Sequence, residues 1–129
     1  MQIFEKLITV TKSDLDRLEH VNNVRYLQWI CDIAKEHWLQ NTSDDINKNF
    51  HWVVLSHYIE YKSSAILNAQ IKIKTFVKKS EGVTSTRIVE MYHLETNKLI
   101  VKSESNWCFM NSKTKRPARI TPEIVNLFT

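Results

Sequence analysis

Glycine is almost missing from this chain: Gly82 is the only one in 129 residues, beside two prolines, Pro117 and Pro122. A P-loop or a dinucleotide fingerprint needs several glycines, so phosphate is not cradled in that way. The nucleophile elbow of serine hydrolases is excluded for the same reason. Cysteine is equally scarce. Cys31 and Cys108 lie far apart with no partner at ligand spacing, which argues against a disulfide framework or a zinc site and makes a reducing, cytoplasmic setting the expectation. The five histidines show no paired spacing either, so neither a metal nor any other cofactor is expected. No run reaches the roughly 18 apolar residues of a membrane span. The opening Met-Gln-Ile-Phe-Glu-Lys does not read as a signal peptide. Eighteen Lys and Arg against 14 Asp and Glu give a net charge of +4, a mild excess that does not by itself indicate nucleic acid.

What remains is ordinary globular composition, 43% hydrophobic and 25% charged, and one domain over residues 1–129 is expected. Ile3 to Val10 reads as a strand. From Asn23 to about Gln40, Arg25, Gln28, Asp32, Lys35 and Glu36 recur at three- and four-residue steps among apolar neighbours, which predicts a long helix with a narrow wet stripe. Asn22 or Asn23 is placed to cap it. After a polar turn at Asn41 to Asn49, four strand-like runs follow: Phe50 to Lys62, Leu67 to Lys79, Val83 to Glu95 and Leu99 to Met110. In the second, Leu67, Ala69, Ile71, Ile73, Thr75 and Val77 share one face against lysines on the other, the alternation of a sheet covered on one side. Short connections around Gly82 and Asn97 suit hairpins, so a four-strand antiparallel meander is expected, with a short helix near Thr121 to Phe128. The predicted class is α+β, an antiparallel sheet curled around one central helix.

The chemistry concentrates in Asp14-Leu15-Asp16-Arg17-Leu18-Glu19-His20-Val21-Asn22-Asn23-Val24-Arg25-Tyr26. Two aspartates, a glutamate, a histidine and two asparagines fall within the ten residues Asp14 to Asn23, directly before the helix. Taken alone, these residues also suit a turn and a helix cap. The string resembles the signature of hotdog-fold thioesterases of the 4-hydroxybenzoyl-CoA thioesterase and acyl-ACP thioesterase type, and the similarity extends through Ile59-Glu60-Tyr61-Lys62 to Arg116-Pro117 and beyond. The resemblance implies the hotdog fold and an acyl thioester hydrolase. By it, Asp16 takes the position of the catalytic carboxylate, His20 and Asn22 complete the catalytic set, and Asn23 and Tyr26 meet substrate. Backbone amides near Asn23 would polarise the thioester carbonyl at the positive end of the helix. Many bacterial relatives carry glycine where Glu19 stands. The plant enzymes carry a Glu-Cys pair where this chain, aligned on Tyr61, has Ser64-Ala65. Ser63 and Ser64 are therefore candidate substrate contacts, with a plain turn as the alternative.

The expected substrates are acyl-CoA or an acyl carrier protein, with the basic run Lys113, Lys115, Arg116 and Arg119 as a possible meeting point for phosphates or an acidic carrier. Trp29, Trp38, Tyr26 and Trp52 are candidates for an acyl tunnel or for plain core. The resemblance also implies a homodimer or dimer of dimers, since an open sheet leaves an edge and the family builds its site between subunits. Neither nucleic acid nor membrane is an expected partner. Two alternatives stand beside hydrolysis: a hotdog dehydratase or hydratase, which the paired asparagines fit poorly, and a non-catalytic module that binds acyl thioesters.

Overall fold

A computed structural model describes all residues from Met1 to Thr129. The elements run β1 (Phe4–Thr9), a 3-10 turn (Lys12–Asp14), α1 (Asn23–Asn41), α2 (Asp44–Asn49), β2 (Phe50–Tyr61), β3 (Gln70–Glu81), β4 (Thr84–His93), β5 (Leu99–Asn111), β6 (Arg116–Pro117) and α3 (Pro122–Asn126). The long helix starts where its cap predicts. Asn22 is extended, and its side chain accepts from the Val24 N–H at 3.0 Å, satisfying one of the donors that a helix start leaves free. Gln28, Asp32 and Lys35 stay exposed, as the wet stripe requires. On the other side Tyr26, Trp29, Ile30 and Ile33 are buried against Ile71 and Ile73 of β3, Val89 and Met91 of β4 and Val101 of β5. The sheet thus closes around the first half of α1. A second cluster, Trp38, Phe109, Ile120, Ile124 and Phe128, holds its far end.

The strand order is β1-β3-β4-β5-β2, with β6 beside β5 and every pairing antiparallel. Two expectations are corrected here. The meander has three strands, β3-β4-β5, not four, because β2 skips β3 and pairs with β5. The crossing segment is held at both ends: Lys62 and Ser63 donate to the Ile100 carbonyl, and Asn68 donates to Val10. The polar stretch after α1 is not a plain turn but contains α2, capped by the Ser43 side chain with Asp44 and Asp45 in its first turn, a favourable charge placement at a helix start. The hairpins fall where expected, with Gly82 at a φ of 63° between β3 and β4 and Asn97 at 58° before β5. Asn is among the residues that best tolerate this left-handed region.

Candidate active site

Asp16 sits on a small hairpin built from Leu15 to Val21. Leu15 and Val21 pair across it, the Asp16 N–H donates to the His20 carbonyl at 2.8 Å, and the Glu19 N–H returns to the Asp16 carbonyl at 3.0 Å. Closing a three-residue loop this way puts its last residue in the left-handed region, the usual place for glycine. Glu19 occupies that place with a φ of 63°. The departure noted in the sequence is therefore a backbone position where a side chain is strained.

One oxygen of the Asp16 carboxylate organises the loop. Its Oδ1 accepts from the Leu18 N–H at 2.9 Å and from the His20 N–H at 3.3 Å. Oδ2 has no partner within the chain and, on a half-buried residue, is open to solvent. The return limb of the hairpin pairs with the crossover, through His20 to Ile66 and Val21 N–H to the Ala65 carbonyl at 2.9 Å. Asn22 donates its N–H to the Asp14 carbonyl at 2.9 Å. Asp14 is the structural acid of the motif. Buried, it accepts from the Thr11 N–H at 2.8 Å and pairs with the Arg25 guanidinium at 3.1 Å, tying the 3-10 turn to the first turn of α1.

Asp16, His20, Asn22 and Asn23 therefore lie on one loop at the N-terminal end of α1. Asn22 acts as the helix cap, its side-chain oxygen engaged with Val24. At the first helical position, the Asn23 N–H has no acceptor in the chain, whereas Arg25 and Tyr26 both reach the Asn22 carbonyl. Tyr26 is buried, packed edge-on against Trp29 and tilted against Tyr61. Burial pushes its phenol up to about 12, the nearby Ala65 backbone offsetting part of the rise and Tyr61 adding to it; the hydroxyl makes no well-formed hydrogen bond. The Ser63 hydroxyl donates to the Leu99 carbonyl at 2.8 Å, so it fastens the crossover. Ser64 is exposed, and its carbonyl meets the His93 ring at 3.2 Å.

A cavity of about 730 Å³ opens elsewhere, between the second half of α1, the first residues of β2, the β3–β4 hairpin and α3. Trp38 and Trp52 line it; Tyr26, Trp29 and the four loop residues do not. Arg87 of β4 and its partner His37 of α1, both buried, were not singled out in the sequence. The available signal was an arginine on the inward face of β4 between Ser85 and Val89.

A curled antiparallel sheet around one long helix, with an acidic hairpin at the helix's N-terminal end, defines a hotdog domain of the thioesterase class. The model of the acyl-ACP thioesterase N-terminal domain matches residues 2–128, and the chain belongs to that family. No curated protein matches the sequence. Among solved structures, the chain is similar to 4-hydroxybenzoyl-CoA thioesterase (TM-score 0.90, 9% identity, 100% of both chains). It is also similar to YbaW, a probable thioesterase from Escherichia coli (0.83, 20%, 95% of this chain and 94% of that one). The 12:0-ACP thioesterase from Umbellularia californica matches as well (0.85, 14%, 98% of this chain and 51% of that one), so the present chain corresponds to about half of the plant enzyme. At these identities the structural likeness is one of fold.

Proposed function

We propose that this protein hydrolyses acyl thioesters, acyl-CoA or acyl carrier protein, to a free acid and a thiol, with Asp16 as the reacting carboxylate. The observation that carries this reading is the division of labour in the Asp16 side chain: Oδ1 is fixed by two backbone amides, which leaves Oδ2 held in place and unengaged. A thioester is already an activated acyl group. One oriented carboxylate, attacking the carbonyl or deprotonating a water that does, needs only a donor for the developing oxyanion, and the unpaired Asn23 N–H at the positive end of α1 supplies it. His20, exposed beside Asp16, and the Asn22 side-chain amide are the remaining polar groups of the loop.

Free-thiol release measured across acyl-CoA chain lengths, aryl-CoAs and an acyl carrier protein substrate tests the reading and identifies the substrate. Asp16→Asn keeps an oxygen for the Leu18 and His20 amides, so its fold is retained; turnover falls by about a hundredfold or more. Hydrolysis at the wild-type rate by that variant would sink the assignment. Thiol release from saturated substrates, with no hydration of an enoyl-CoA, separates hydrolysis from dehydratase or hydratase chemistry.

The reading includes a homodimer through β2. This strand ends the sheet opposite β1, and Val53, Val54, Leu55 and Tyr58 are exposed along it. A two-fold copy extending the sheet at this edge runs antiparallel. That arrangement brings the start of the partner's β2, and the basic loop beside it, towards the Tyr61 end of this chain. The loop of Lys113, Lys115, Arg116 and Arg119 and the Asp16 hairpin lie at opposite ends of the strands within one chain, so such a dimer is what would put them near one thioester and its phosphates.

A further inference from the structure

Arg87 is 7% exposed and stands on the inward face of β4, where its neighbours at two-residue spacing are Ser85, Val89 and Met91, all buried. No side-chain or terminal carboxylate lies within 4.0 Å of it: the chain's ion pairs are Lys6–Glu36, Asp14–Arg25, Glu60–Lys62 and Lys78–Glu104. Its Nη1 donates to His37 Nδ1 at 2.8 Å and to the Thr75 hydroxyl at 3.1 Å. A guanidinium can only donate, so His37 Nδ1 is the accepting nitrogen. The proton then sits on Nε2, which donates to the Gln2 side-chain oxygen at 2.7 Å. His37 is therefore neutral. Burial first and the Arg87 charge second hold its pKa down at about 4, and a neutral imidazole does not balance the cation.

The two remaining donor groups of Arg87, Nε and Nη2, have no partner in the chain. They form one edge of the guanidinium, the parallel pair of N–H groups that fits the two oxygens of a carboxylate. Arg87 lines the 730 Å³ cavity, whose size falls within the range of small-molecule sites. Its walls are aromatic, with Trp38, Phe50, Trp52 and Phe128 among them, and Phe128 lies 6.0 Å below the guanidinium. The charge balance of the lining is positive. Lys35 and Lys79 add to Arg87, Lys78 is paired with Glu104, and the one acidic side chain, Asp32, is held by the Gln28 amide at 2.8 Å. A buried cation carries a large desolvation cost unless an anion meets it.

We propose that this cavity is a second ligand site, separate from the Asp16 loop, for a free monocarboxylic acid with an apolar body. The carboxylate takes the Nε and Nη2 edge of Arg87, and the hydrocarbon or aryl body lies among the aromatic walls. Neither Asp16 nor any other loop residue lines the site, so ligand binding there does not depend on whether Asp16 hydrolyses thioesters.

Three tryptophans in the lining, Trp38, Trp52 and Trp107, supply the readout. Intrinsic fluorescence is titrated at pH 7 with decanoate, below its micellar concentration, and with 1-decanol as the uncharged control. The wild-type protein binds decanoate about tenfold or more tightly than decanol, the ratio expected of charge-assisted hydrogen bonds. Arg87→Met keeps the volume, removes the buried charge and loses that preference. Arg87→Lys keeps the charge without the fork and falls between the two, and it serves as the test should Arg87→Met fail to fold. Asp16→Asn retains the full preference. Equal binding of acid and alcohol by the wild type, no saturable decanoate binding, an undiminished preference in the Arg87 variants, or its loss in Asp16→Asn would each overturn the proposal.

Discussion

Glu19 holds a left-handed backbone, with a φ of 63°, inside the hairpin that carries Asp16. An L-residue there costs about 1–2 kcal/mol relative to its ordinary conformations. Glu19→Gly relieves that strain and loses part of the gain to the greater freedom of glycine in the unfolded chain. The expected result is a net stabilisation of about 1 kcal/mol, read as a rise of a few degrees in Tm. An unchanged or lower Tm would mean the loop is not strained at this residue. The serines make the opposite point. Because the Ser63 hydroxyl is bonded to the Leu99 carbonyl, Ser63→Ala is expected to lower stability by about 1 kcal/mol and to leave KM for the thioester unchanged, whereas a contact to substrate would raise KM. The motif made Asp16, His20, Asn22 and Asn23 legible as a group. It did not reveal which side-chain atoms the backbone had already claimed, because those bonds depend on how a seven-residue hairpin closes.

At the level of elements, α1 was legible almost to the residue, since its polar positions recur at helical steps and its cap is a single asparagine. Asn22→Ala removes the bond to the Val24 N–H and is expected to cost about 1 kcal/mol in chemical denaturation. Asn22→Asp keeps the cap and adds a charge that the helix start favours, so a loss of turnover in the Asp variant at wild-type stability would point to chemistry in the side-chain amide. The alternation in β3 was equally plain. By contrast, α2 was hidden by its six-residue length, although Ser43, Asp44 and Asp45 are the signs of a helix start. Strand order was hidden for a deeper reason. Alternation says which face of a strand is covered and nothing about its neighbour, so β2 read as the partner of β3 when it is the partner of β5. Its free edge yields a further test: Val54→Lys places a charge in that apolar stretch and is expected to shift the protein to monomer in light scattering, with little change in the far-ultraviolet spectrum.

Across the molecule, the contact among Gln2, His37, Thr75 and Arg87 joins the N-terminal segment, α1, β3 and β4 through one neutral imidazole. His37 has a folded pKa of about 4 against 6.5 as its ordinary value. Between those values the unfolded chain binds more protons than the folded one, so this contribution is complete above about pH 6.5 and is lost as pH falls towards 4. The slope is at most about 1.4 kcal/mol per pH unit. Tm should drop through this window, and less steeply in His37→Gln; identical pH profiles would show that His37 is not held neutral. No sequence pattern marked this network. An inward-facing arginine and a helical histidine become partners only once the sheet has curled around the helix. The strand order also determines when that can happen. Both strands that flank the sheet, β1 and β2, precede the β3-β4-β5 meander in the chain, and each pairs only with a strand made after it. During synthesis from the N-terminus, β1 therefore has no partner until β3, which ends at Glu81, has emerged, and β2 has none until β5, which ends at Asn111. The first half of the protein must wait, with its apolar residues uncovered, for the second half to build the surface on which it folds.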